Sequence, residues 1–355
     1  MHGDHPSNCQ AARQATDMSR ESFHETPLKT AGGGLSPRPQ DALLCDMELS
    51  HRSMFYPLGY PVEIITNDTA VFEAAGESFG HARLSRNSVT LQIRVGVTSE
   101  GASACPPEPI RREYNHLYSL VADVHNQALL DLRSMTNFIW VTRAAVNNSL
   151  YLRYNFLEKA VYLLLGASAV TDLHAACVSK NGKGILLIGN SGAGKSTLAY
   201  ACARAGWTFT SDDTSYLIND SKVPRVIGHS HRARFRPSAR ELFPELQRFA
   251  LTPRIEGKPS IEVPVSELPI EKSAPEANVE SIVYLNRSPS AAGQLIRLPH
   301  GTATERTCSD LYSAGEIRVK HEKILQSLSD IPTYELQYSG LSQGVLLLDR
   351  LSRSK

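Results

Sequence analysis

Gly184-Ile185-Leu186-Leu187-Ile188 runs directly into Gly189-Asn190-Ser191-Gly192-Ala193-Gly194-Lys195-Ser196-Thr197. An apolar strand therefore feeds a loop of the form Gly-x-x-x-x-Gly-Lys-Ser, the Walker A pattern. Each part has a physical role. The glycines let the backbone curl so that successive N–H groups point inward at phosphate oxygens. Lys195 would then reach the β- and γ-phosphates, and Ser196 would ligate Mg²⁺. After the loop, Leu198, Ala201, Cys202 and Ala205 fall on one face of a helix that starts at Lys195. Strand, loop and helix together make residues 189–197 the expected site for a nucleoside triphosphate with Mg²⁺; ATP is the expected cofactor, and the motif alone leaves ATP and GTP undistinguished.

The rest of the 355-residue chain narrows the field. With 41% hydrophobic and 21% charged residues it suits about two globular domains. A formal net charge of +1 and a pI near 7.7 give no basic excess, so no nucleic-acid partner is expected. The longest apolar run, Ala160 to Val170, falls short of the roughly 20 residues a spanning helix needs, so no membrane partner is expected. The start, Met1-His2-Gly3-Asp4-His5-Pro6, lacks the basic-then-apolar order of a signal peptide, which makes a cytoplasmic location the expectation. Six scattered cysteines with no C-x-x-C pair read as reduced core or loop thiols.

Residues 1–52, rich in Ser, Gly, Pro, His and charge, read as a disordered leader. Residues 53–165 read as a small α+β domain, with a strand at Val62 to Ile65, a helix at Thr69 to Phe79, an alternating strand at Val89 to Val95 and a helix at Tyr154 to Leu165. Residues 166–355 read as the α/β domain. In it Leu173 to Val178 is expected as one strand, joined by an Asn181-Gly182 turn to the glycine-loop strand. Trp207 to Thr210 is expected as the next strand, lying beside the glycine-loop strand and ending at Ser211-Asp212-Asp213.

The two acids at that strand end supply what a phosphate loop requires, a carboxylate for Mg²⁺ directly or through water. With one metal to share, one of Asp212 and Asp213 would hold it and the other would accept a proton from an attacking hydroxyl. Spacing leaves open which does which; Asp212 and Ser196 are the metal candidates. His174 lies on the strand expected to hairpin onto the glycine-loop strand, which brings its ring toward the same edge. It joins Asp212 and Asp213 as a catalytic candidate.

The set Leu173 to Val178, Gly184 to Thr197 and Gly206 to Asp213 resembles the catalytic domain of HPr serine kinase/phosphorylase. That family has a His-Gly strand, a Gly-x-Ser-Gly-x-Gly-Lys-Ser loop and an Ala-Asp-Asp strand end. The resemblance implies an α/β P-loop nucleotide-binding domain of the HPr kinase/phosphoenolpyruvate carboxykinase-like type. Here it would be preceded by the small α+β domain and the leader. It implies a kinase that moves the γ-phosphoryl group of ATP to a hydroxyl on a protein serine, a peptide or a small molecule. His174 would assist the acidic pair, and a homo-oligomer stays open. The alternatives are a nucleotide-binding switch with little transferase activity and a carboxykinase-like or phosphorolytic enzyme.

In place of the family's downstream Glu-Ile-Arg-Gly-Leu-Gly-Ile stretch stands Arg254 to Val263. Arg254 or Lys258 there could supply a cation to the transferred group; a plain surface loop is the other reading. Arg232, Arg234 and Arg236 alternate as strand residues do. They read either as a solvated basic edge or as a grip for an anion. His229 and His231 have no matched cluster of further ligands, so no metal is assigned to them.

Overall fold

The computed structural model describes residues 47–81, 85–88, 90–99, 103–252, 259–311, 313 and 315–353. Most of the expected leader, and both Arg254 and Lys258, lie outside the described residues. The fold is mixed α/β.

The N-terminal half builds a seven-stranded mixed sheet from β1 (His51–Phe55), β2 (Val62–Thr66), β3 (Leu91–Thr98), β4 (Ile110–Tyr114), β5 (Leu117–Val121), β6 (Gln127–Asp131) and β7 (Thr136–Thr142). β1 takes in His51 and Arg52, so order begins within the expected leader. The order is β1-β2-β3-β7-β6-β5-β4, with β2, β3 and β7 parallel. β4 closes one edge with exposed charges, which discourages further strand pairing. α1 (Ala70–Phe79) buries Val71, Ala74, Ala75 and Phe79, the i, i+3, i+4 spacing of one helical face.

Two short helices, α2 (Arg143–Asn147) and α3 (Ser149–Leu152), follow β7; Thr142 and Asn148 cap them through their side chains. The expected helix Tyr154 to Leu165 starts instead as a π-helical turn, Arg153–Leu157, and continues as α4 (Glu158–Ser168). One apolar core runs through this half and on to Tyr216, Ile218 and Ile227.

The second sheet has ten strands. It comprises β8 (Val170–Leu173), β9 (Ala175–Lys180), β10 (Lys183–Ile188), β11 (Thr208–Ser211), β12 (Ser215–Ile218), β13 (Arg225–Gly228), β16 (Lys272–Ser273), β17 (Glu276–Arg287), β18 (Gln294–Arg297) and β19 (Thr333–Tyr338); β14 (Arg232–Phe235) and β15 (Ile261–Pro264) pair separately. Its order is β16-β11-β9-β10-β17-β13-β12-β8, with β19 joining β17 to β18. β10 is enclosed by antiparallel β9 and parallel β17, and Gly184 to Ile188 are all buried, which accounts for the unbroken apolar run.

The β9–β10 turn uses Asn181 and Gly182, both at positive φ, the type I′ signature of an Asn-Gly hairpin. α5 (Lys195–Arg204) and α9 (Leu341–Arg353) cover one face of the sheet. α7 (Thr302–Ser309) and α8 (Gly315–Leu325) cover the other, and a short α6 (Ala239–Leu242) follows β14. Among the described residues no helix is long and apolar enough to cross a membrane.

Two strand expectations need correction. Leu173 to Val178 is two strands, because the chain breaks at His174 and passes from a pairing with β12 to a pairing with β10. The strand leading to Asp212 does not lie beside β10: β9 intervenes, pairing with β11 on one side and β10 on the other. A hairpin partner inserted between two strands cannot be read from loop length.

Candidate functional site

The long β17 joins two parts of the ten-stranded sheet, and the chain passes between them twice, side by side. The first passage is β8 to β9 through His174. The second is β11 to β12 through Asp212, Asp213 and Thr214. Leu173 pairs with Ser215, while Ala175 pairs with Ile188. The Ser215 hydroxyl donates to the Ala175 carbonyl at 2.9 Å and lies 2.6 Å from the Ser211 hydroxyl, tying the passages together. The residues at the two passages belong to no strand, so their side chains are free to converge.

Against them lies the end of β10. Gly189 leaves the strand where an added Cβ would sit 2.9 Å from the Ala193 Cβ, closer than real Cβ contacts come. Gly192 and Gly194 hold φ of 89° and 97°, the left-handed region that only glycine enters freely. Asn190, Ser191 and Gly192 are exposed. α5 begins at once with Lys195 and has no side-chain N-cap. Its first N–H groups therefore have no intrahelical acceptor, and the positive end of its dipole faces the loop. Ser196 and Thr197 sit in this first turn.

Lys195 is buried, and its ammonium donates to the Gly189 carbonyl at 2.7 Å and to His174 Nε2 at 2.9 Å. Burial lowers the lysine pKa, opposed by Asp213 and Asp310. With Nε2 accepting from an ammonium, the imidazole carries its hydrogen on Nδ1, which faces Asp213 Oδ1 at 3.5 Å. Burial and then the Lys195 charge hold His174 below its ordinary pKa, so the ring is neutral near pH 7.

Asp212 is almost fully buried. Its Oδ2 accepts the Arg234 backbone N–H at 2.7 Å, and its own carbonyl accepts the Ser196 hydroxyl at 3.1 Å. Burial, then the neighbouring Asp213 charge, pushes its carboxyl up to about 7. The Asp213 side chain is 41% exposed. The structure thus brings His174, Lys195, Ser196, Asp212 and Asp213 together.

The arginines overturn one expectation. Arg232 and Arg234 are not a solvated basic edge: both face Glu262 on β15, Arg234 at 2.9 Å and Arg232 at 3.7 Å. Tyr154, from the π-helical turn, donates its hydroxyl to Glu262 at 2.9 Å and lies under the Arg234 guanidinium. Arg234 binds Asp212 through its main chain while its guanidinium is held by Glu262. Asp310, just past α7, acts electrostatically on both His174 and Lys195. Neither Glu262 nor Asp310 carries a local pattern: Glu262 comes from β15 and Asp310 from the turn past α7, both far along the chain from the glycine loop.

No protein-family profile matches this chain, and no curated protein matches it. Among solved structures it is similar to the HPr(Ser) kinase/phosphatase from Coxiella burnetii, with a TM-score of 0.27 and 11% identity. That likeness covers 51% of this chain and 91% of the other. A likeness of that size assigns neither residues nor activity.

Proposed function

We propose that this protein is an ATP-dependent phosphotransferase that moves a γ-phosphoryl group to a hydroxyl acceptor with the help of Mg²⁺. The observation that carries the reading is one chain of contacts: Lys195, the first residue of α5 after two left-handed glycines, meets His174 at 2.9 Å, and His174 faces Asp213.

The residues present fit a triphosphate and its metal. The uncapped start of α5, the two left-handed glycines and the close approach at Gly189 make a backbone cradle suited to an anion. Lys195 has three N–H donors and uses two, on Gly189 and His174, which leaves one for a phosphate oxygen. Ser196 and Asp212 supply hard oxygen donors of the kind Mg²⁺ takes. Among the described residues no three His, Cys, Asp or Glu side chains converge to hold a metal by themselves; a cation completed by phosphate oxygens and water needs no such cluster. Once bound, Mg²⁺ would neutralise charge on the transferring group.

On this reading Asp212, beside Ser196, serves the metal. Asp213, at the exposed mouth, takes the acceptor's proton while His174 Nδ1–H orients it. Arg234 is a positioning residue, fixing Asp212 through its backbone N–H.

The test is incubation of the full chain with γ-labelled ATP and Mg²⁺, with and without a lysate of the source cell. Label on a discrete acceptor, lost in Lys195→Ala, is the expected result. Nucleotide retained without label transfer would favour a nucleotide-binding switch. No nucleotide retention at all would end the reading.

A further inference from the structure

A cleft of about 650 Å³ is lined by Tyr154, Tyr162, Asp172, Thr214 and Tyr216, a volume typical of small-molecule sites. It adjoins the site described above at two points. Thr214 is the next residue after Asp213, and Tyr154 contacts the Arg234–Glu262 pair whose Arg234 main chain holds Asp212.

Its far wall has a distinctive composition. Asp172 on β8 lies directly across from Tyr216 on β12, so the two side chains share one face of the sheet. Tyr216 in turn stacks on Tyr162 of α4, with ring centroids 5.6 Å apart and planes 22° from parallel. Outside the strand ladder the Asp172 side chain has no hydrogen bond or ion pair among the described residues; His321, also on the cleft wall, acts on it electrostatically but spends its ring nitrogens on Ser313 and the Gly166 carbonyl. A carboxylate without a counter-ion next to paired tyrosine rings is the donor set that recognises an organic ammonium: the carboxylate supplies charge and the ring faces supply cation–π attraction.

We propose that this cleft is the acceptor site and that its acceptor is a hydroxylated amine. Its ammonium sits between Asp172 and the Tyr162–Tyr216 pair, with its hydroxyl at Asp213. From Tyr216 back to Asp213 is three residues, at most about 10 Å of extended chain, so a ligand whose two groups lie no more than about eight bonds apart spans it. In the transfer, the acceptor oxygen forms the new O–P bond as the P–O bond to ADP breaks, and the hydroxyl proton passes to Asp213. The hydroxyl end rests on the phosphotransferase reading; the ammonium end does not.

The test separates the two. Calorimetric titration of the nucleotide-free full chain with 6-amino-1-hexanol, 1-hexanol and 6-hydroxyhexanoate reads the ammonium end alone. The amine is expected to bind at least about tenfold tighter than the other two. Asp172→Asn should erase that preference, and Asp172→Glu should retain most of it. Lys159 also lines the cleft, so 6-hydroxynorleucine is included. Tighter binding than the plain amine would add a carboxylate contact, still dependent on Asp172.

Equal binding of amine and alcohol, or a preference that survives Asp172→Asn, overturns the inference even if nucleotide is retained. Amine preference in a protein that retains no nucleotide keeps the amine site and removes the phosphotransferase reading. Label transfer from γ-labelled ATP to 6-amino-1-hexanol would support both ends together.

Discussion

Replacing Asp212 by Asn should make the protein more stable and less active, and the structure sets the size of the first effect. Asp212 is 7% exposed, and burial, followed by the Asp213 charge, raises its carboxyl from an ordinary 3.8 to about 7. A group whose pKa is raised on folding keeps its proton in the folded state at pH values where the unfolded chain has lost it. Its contribution to stability is therefore complete below pH 4, declines from there to pH 7, and is flat above. At about 1.4 kcal/mol per tenfold change in ionisation, holding the carboxyl at about 7 rather than 3.8 removes about 4 kcal/mol by pH 8.

An asparagine at this position can still accept the Arg234 backbone N–H and has no charge to bury. The Asp212→Asn variant should thus exceed the wild type by about 4 kcal/mol at pH 8 and by clearly less at pH 5, with no difference below pH 4. Urea unfolding at these pH values with chelator present checks it, since a cation beside the carboxylate would favour ionisation. An Asn variant no more stable than wild type at pH 8, or a gap that does not change with pH, would refute the reasoning. Transfer activity should fall by orders of magnitude in the same variant.

Three further outcomes follow from single contacts. Lys195→Ala should abolish nucleotide retention, measured by filter binding, because it removes the ammonium at the head of α5 and its bond to the Gly189 carbonyl while every glycine of the loop stays in place. Gly228→Ala should destabilise by about 3 kcal/mol or more in urea unfolding, since its Cβ would meet the Thr210 carbonyl at 2.3 Å and the Ser211 Cβ at 2.6 Å, neither of which can move freely. Glu262→Gln should lower stability by about 3 kcal/mol, read as a drop in Tm, because it leaves the largely buried Arg234 guanidinium without its counter-charge.

Local chemistry made the centre of this site readable and left its surroundings hidden. The run Gly184 to Thr197 announces strand, loop and helix because each is encoded by neighbouring residues: apolar side chains, glycines at positive φ, then a helical stripe. The Asn181-Gly182 turn is equally local, and it ties Ala175 to Lys180 to β10, though the strand stops short of His174. The insertion of β9 between β10 and β11 was not legible, since strand order depends on pairing across dozens of residues. The same holds for Arg234, which looks like one of three alternating surface cations until Glu262, 28 positions later in the sequence, is placed against it. The helix expected from Tyr154 hides a π-helical turn, and that turn carries the tyrosine that reaches Glu262.

The location of the site follows from how the sheet is divided. Residues inside a β-ladder commit their backbone groups to neighbouring strands, and their side chains alternate rigidly between faces. His174 and Asp212 to Thr214 escape that constraint because they lie where the chain changes partners, from β8 to β9 and from β11 to β12. Their flanking residues remain locked, through the Leu173–Ser215 and Ala175–Ile188 pairs and the Ser215 hydroxyl on the Ala175 carbonyl. Free side chains on a fixed frame are what proton transfer at a defined distance requires. The same division separates two carboxylates that adjoin in sequence. Asp212 turns inward to the Arg234 N–H and becomes hard to ionise, whereas Asp213 turns outward toward His174 and water. Two adjacent acids thereby acquire different environments, which is what the proposed division between a metal ligand and a proton acceptor requires.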